Sequence, residues 1–211
     1  MLLIAGVAAV AGRGRGTSRS ADSRLPAPPV VAAAEPPLVE RPEPARASAV
    51  RLLADEAYAP ALDQLLASAT RSIDVTMFSC VLPADARPTH PVRRILDRLV
   101  ERKKAGVQVR VVFDHGIPAG KLKEGEEAPS DNGARYLADH GIDVRWDEDA
   151  RTTHTKSLVV DGRWCVVGST NWSYSALSKN REQSVLVDSV PLADELTVRF
   201  TALWKVSAPL R

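Results

Sequence analysis

Residues 154–182 read HTKSLVVDGRWCVVGSTNWSYSALSKNRE, and the reading of this stretch decides the reading of the chain. His154 and Lys156 stand two apart at the start of an apolar run, so on a strand they share one face. Asp161-Gly162 reads as a hairpin turn into a second run, RWCVV. Gly168-Ser169-Thr170-Asn171 closes that run, WSYSALSKN reads as a short helix, and Glu182 opens a further strand, EQSVLV. An imidazole, an ammonium, a hydroxyl, a carboxamide and a carboxylate are therefore expected at one end of a small sheet. That set suits a phosphodiester. A neutral imidazole can attack phosphorus. An ammonium neutralises the non-bridging oxygens as a point charge, and Ser and Asn donors hold them as charge shifts in the transition state. A carboxylate beside an imidazole fixes its tautomer and raises its pKa.

The spacing carries a resemblance. His-x-Lys, four residues, Asp, six residues, Gly-Ser and then Asn two positions on is the pattern of the phospholipase D superfamily, met here by His154, Lys156, Asp161, Gly168, Ser169 and Asn171. Glu182 falls where that family has a downstream acidic residue. The chain most resembles the single-motif branch that includes bacterial nucleases and mitochondrial cardiolipin-hydrolase-like proteins. The resemblance implies an α/β fold: an α-β-α sandwich with a mixed central sheet flanked by helices, one half-unit per chain. It implies a phosphodiesterase working through a covalent phospho-histidine. His154, Lys156, Asn171 and Glu182 are then catalytic, and Lys156, Ser169 and Asn171 are the phosphate contacts. Asp161, at the far end of the hairpin from His154, is expected to be structural, and Gly168 to allow close backbone approach. Glu182 is expected to orient an imidazole. Of Trp172 and Tyr174, one is expected in the core and the other beside the cleft.

Only one His-x-Lys is present, since His90, His115 and His140 have no Lys or Arg two residues on. Hydrolysis through phospho-histidine needs two roles: one imidazole attacks, and another group protonates the leaving oxygen and then deprotonates water. Single-motif family members resemble half an enzyme and pair about a twofold axis, so a homodimer with one composite site is expected. The family pattern implies no metal and no cofactor. The substrate reads as either phospholipid or nucleic acid, with a metal-independent endonuclease as the specific form of the latter. A catalytically silent dimeric module binding nucleic acid or anionic lipid is the alternative from another class.

The rest of the chain frames this stretch. Its 211 residues, 45% hydrophobic with a net charge of +2, allow one domain plus a tail and carry no whole-chain polyanion signature. Cys80 and Cys165, each in an apolar run, read as two buried thiols unless their strands adjoin. Residues 1–12 form a short apolar segment, a signal remnant or an anchor for peripheral membrane association. It is too short to span a bilayer and lacks a basic leader, so the compartment stays open between export, membrane association and cytoplasm. Residues 13–49, rich in Pro, Ala and Arg, read as a linker without a core. Residues 50–211 read as the phosphodiesterase domain. Within it, Val50–Ala69 has helical spacing and Ser72–Cys80 reads as a buried strand. Val92–Ala105 is an amphipathic helix whose arginines read as a solvated surface, and Val107–Asp114 is the next strand. His90 sits in a Pro-rich loop, and His115, at a strand end, is a candidate rim residue of the cleft. The polar stretch Gly116–Gly133 reads as a specificity loop. Asn132–His140 reads as a helix, Ile142–Trp146 as a strand, Asp147–Asp149 as an exposed acidic bend and Pro191–Val206 as a helix with Leu192, Leu196, Phe200 and Leu203 inward.

Overall fold

A computed structural model describes residues 49–115, 128–147 and 151–210. The apolar segment 1–12, nearly all of the linker 13–49, and residues 116–127 of the expected specificity loop lie outside the described residues.

Eight strands form one mixed sheet. In chain order they are β1 (Ala49–Ala54), β2 (Ser72–Met77), β3 (Gln108–Phe113), β4 (Asp143–Trp146), β5 (Lys156–Val160), β6 (Trp164–Gly168), β7 (Gln183–Asp188) and β8 (Ala208–Pro209). Their order across the sheet is β1-β7-β6-β5-β2-β3-β4-β8. The pairs β2–β3 and β3–β4 are parallel and the other five are antiparallel. Among the described residues the α-helices are α1 (Tyr58–Ser68), α2 (Pro91–Lys104), α3 (Asp131–Asp139), α4 (Tyr174–Ser178) and α5 (Val190–Val206), with a turn of 3-10 helix at Asp55–Ala57.

Alternation along the strands sorts side chains into two layers. On β5, Leu158 and Val160 enter the larger core with Leu62 and Leu66 of α1, Leu96 and Leu99 of α2 and Leu137 of α3. Val159 faces the other way, joining Cys165, Val187 and Ala193 of α5. Helices thus cover both faces. Asp74, on the same face as Val159, takes two 2.8 Å hydrogen bonds from Arg110, whose guanidinium lies 4.9 Å from the centre of the Phe200 ring. This half-buried pair pins α5 to the sheet. Both cysteines are buried and free, and burial pushes the Cys165 thiol up to about 11. Cys80 belongs to the α1–α3 core and Cys165 to the α5 core.

The expected βαβ unit forms as β2-α2-β3. Pro91 occupies the first turn of α2, the position where its missing N–H costs nothing, and Gly106 follows the helix with φ 89°. Two of its four arginines are held by acids: Arg93 by Asp97 at 2.9 Å, and Arg98 by Asp63 at 2.9 Å and Glu101 at 2.6 Å. That neutralisation agrees with a solvated helix face.

Two expectations are corrected. Residues 49–54 are a strand rather than the start of a helix; β1 pairs along its whole length with β7, and only Leu53 of its side chains is buried. Asp147 is buried, with its N–H donated to the Phe113 carbonyl at 3.0 Å, so it does not belong to an exposed bend; residues 148–150 are not described.

Candidate active site

The C-terminal ends of β2, β3, β4 and β6 and the N-terminal ends of β5 and β7 lie along the same side of the sheet, as their pairing requires. Lys156 opens β5 opposite Met77, the last residue of β2. The Phe78 N–H donates to the Thr155 carbonyl at 2.9 Å, and the Thr153 N–H to Asp114 Oδ2 at 2.9 Å. These bonds hold the segment before β5 against the ends of β2 and β3.

His154 sits on that segment, exposed, its ring 4.4 Å from the Phe78 ring. Lys156 is only 7% exposed; its Nζ donates to the His154 carbonyl at 2.8 Å and lies 4.7 Å from the Phe78 ring centre. One of its three donors is used, and among the described residues no carboxylate forms an ion pair with it. Burial lowers the Lys156 pKa below the ordinary lysine range, and the negative charges of Glu182 and Asp114 oppose that only in part.

The other half of the site comes from the β6–β7 end. A Cβ on Gly168 would lie 2.1 Å from Ser184 Oγ and 2.4 Å from Ser184 Cα, so only glycine lets these strands close up. The next residue, Ser169, donates its hydroxyl to Glu182 Oε2 and accepts from the Gln183 N–H at 3.1 Å. Glu182 is 9% exposed; its other oxygen accepts from Asn180 Nδ2 at 3.0 Å. Its two oxygens are thus taken by Ser169 and Asn180 in this chain rather than by His154. The half-buried Asn171 has a carboxamide oxygen with no hydrogen-bond partner among the described residues.

Asp161 lies at the opposite end of β5, roughly 17 Å away at strand rise. Its carboxylate accepts from three successive N–H groups, of Thr70 at 2.9 Å, Arg71 at 2.8 Å and Ser72 at 3.0 Å. Asp161 and Gly162 have φ of 55° and 63°, the hand that a tight hairpin prefers. Partial burial pulls the Asp161 pKa up, but the backbone donors of Ser72, Thr70 and Arg71 outweigh it and hold the carboxyl below its ordinary value.

Trp172 is the residue in the core. It is fully buried, its Nε1 donates to the Tyr58 hydroxyl at 3.2 Å, and its backbone pairs with Ser79 and Val81. Tyr174 stays outside, with its ring 5.9 Å from that of His90. His115 follows β3 and stacks on Trp146 at 4.5 Å, two strands across the sheet from His154. Sequence reasoning missed Phe78, which seats both His154 and Lys156; its only signal is its place at the end of the strand that pairs with β5. It also missed Asn180, the second donor to Glu182.

Residues 62–204 match the family described as cardiolipin synthase, phospholipase D-like domain. The chain is similar to a mitochondrial cardiolipin hydrolase of Xenopus laevis, 29% identical over 155 residues, covering 74% of this chain and 64% of that one. It is similar to a 5'-3' exonuclease of Xenopus tropicalis, 29% identical over 155 residues, covering 69% of this chain and 30% of that one. The chain therefore spans less than two thirds of the length of these curated relatives. Among solved structures it resembles Nuc of Salmonella typhimurium, a phospholipase D family member, with a TM-score of 0.63 at 24% identity, over 78% of this chain and 99% of that one.

Proposed function

Because the chain belongs to the phospholipase D-like domain family, we propose that it is a phosphodiesterase acting through a covalent phospho-histidine in a site shared by two subunits, on a phospholipid or a nucleic acid. The observation that carries this reading is Lys156. Among the described residues no carboxylate pairs with this buried ammonium, which is costly, and two of its donors are unspent there, which makes it a seat for an anion. The anion goes beside the exposed imidazole two residues away.

In the proposed reaction a neutral His154 nitrogen attacks phosphorus, forming the N–P bond as the P–O bond to the leaving group breaks. The second imidazole, from the other copy of the motif, gives the leaving oxygen its proton. Water, deprotonated by that same group, then cleaves the N–P bond and frees His154. Lys156 and Asn171 hold the non-bridging oxygens. Ser169 joins them when its hydroxyl turns from Glu182. Glu182 supplies negative charge beside the ammonium and the imidazoles gathered there. Two lysines per dimer supply the electrostatics, so no metal is required.

The test is turnover by the full chain in EDTA on single-stranded DNA and, in parallel, on phosphatidylcholine or cardiolipin vesicles, with His154→Ala as control. DNA cleavage lost in the variant makes the protein a nuclease; headgroup release lost in the variant makes it a phospholipase. Neither activity in an intact dimer points to the silent binding module.

A further inference from the structure

We propose that Tyr174, with His90 and Lys179, forms a shelf on which a nucleobase stacks beside the phosphate site, so that single-stranded nucleic acid is the substrate class; this rests on the phosphodiesterase reading above. Tyr174 is the first residue of α4, three positions after Asn171. The intervening chain is tightly held: Trp172 donates its N–H to Ser79 at 3.0 Å and accepts from Val81 at 2.8 Å, and the Ser173 hydroxyl accepts from Ala176 at 3.2 Å to cap the helix. With Trp172 turned into the core, Tyr174 stands exposed on a fixed backbone, three residues along the chain from the proposed phosphate contact Asn171. Tyr174 is 49% exposed. The His90 ring lies 5.9 Å away, inclined by 36°, and the Lys179 ammonium lies 5.3 Å from the ring centre. Exposed aromatic faces with nearby cations are how proteins hold unpaired bases while neutralising the strand that carries them.

The surroundings disfavour an acyl chain. An acyl chain needs a continuous apolar strip, whereas Ser175, Ser178, Lys179, Asn180 and Arg181, which follow Tyr174 along the chain, are exposed. Of the other exposed large apolar residues among those described, Val81 alone lies in the neighbouring loop; Val50, Leu52, Val190, Val198 and Val206 belong to β1 and α5.

The experiment measures binding without turnover, in the full-length His154→Ala protein. The ligands are a short single-stranded oligonucleotide, the same backbone with abasic sites, and cardiolipin vesicles. Adding Tyr174→Ala is expected to weaken binding of the base-bearing strand about tenfold. Tyr174→Trp should restore it, and the loss on the abasic strand should be less than about twofold. An equal loss on both strands, no loss on either, or a loss confined to vesicles overturns the shelf. So does a change of Tyr174→Ala to half the sedimenting mass, which would assign the ring to a subunit contact. Turnover by the protein with His154 intact is scored separately. If it cleaves neither substrate, the phosphodiesterase reading fails, whatever the binding contrast shows.

Discussion

Lys156 and Asp161 are five residues apart and serve opposite ends of one strand. Lys156 is buried with donors to spare, and Asp161 is saturated by three backbone N–H groups. Lys156→Met should lower kcat by about 10²–10³-fold, because it removes charge where charge develops. Lys156→Arg should not rescue it, since a planar fork does not fit a seat built for a point charge over Phe78. With the Lys156 pKa lowered by burial, the ammonium is lost earlier on the alkaline side. Direct titration of the Lys156 ammonium by NMR should therefore show a midpoint below the ordinary lysine value of about 10.4; a midpoint at or above that value counts against a desolvated Lys156. His154→Ala should cost about 10³-fold or more in turnover while leaving the melting temperature near that of the parent. For Asp161 the folded pKa is lowered, so its stabilisation is full above the unfolded value of about 4 and is lost as pH falls through the folded one. Asp161→Asn tolerates the same positive φ, and should cost about 1–2 kcal/mol at neutral pH. Denaturant titrations at pH 7 and pH 3 should show that gap closing at the lower pH.

At the scale of elements, the β6–β7 contact decides whether the site assembles. Gly168→Ala puts a methyl into the backbone of Ser184, and the strands can accept it only by separating. We expect about 1–3 kcal/mol of lost stability together with lost turnover, because Ser169 and Glu182 ride on those two strands. Ser184→Gly in the same background leaves the backbone clash with Ser184 Cα and Gln183 in place, so thermal melts should show little rescue. The hairpin was legible because its signals are local: alternating apolar runs around Asp161-Gly162. The amphipathic α2 was legible for the same reason, its apolar side chains returning every three to four residues. Residues 49–54 were not. Leu52 and Leu53 fit helical spacing with Tyr58 and Leu62, but a window of six residues cannot separate the two periods. Pairing with β7, some 130 residues on, made the choice.

For the whole molecule, the central prediction is assembly. The chain carries one His154 and one Lys156, and the proposed reaction uses two imidazoles. Sedimentation of the full chain should give twice the chain mass. Mixing His154→Ala with active protein should yield heterodimers that turn over far more slowly than the intact dimer. A stable monomer that still hydrolyses substrate would sink the shared site. Activity should be bell-shaped with pH, because attack needs one neutral imidazole and departure one protonated imidazole.

The sequence by itself determined the family and the order of the candidate reactive groups along the chain, because these depend on residue type and on spacing within one hairpin and the strand after it. It also placed Asp161 at the other end of the strand from His154 and Lys156, where the structure has it. Only the tertiary structure decided what surrounds those groups. It set Phe78 beneath His154 and Lys156, buried Trp172 and left Tyr174 outside, and turned both oxygens of Glu182 toward Ser169 and Asn180. The Phe78 and Trp172 contacts join segments dozens of residues apart. Burial and hydrogen-bond partners there are properties of the packed sheet, which no local pattern carries.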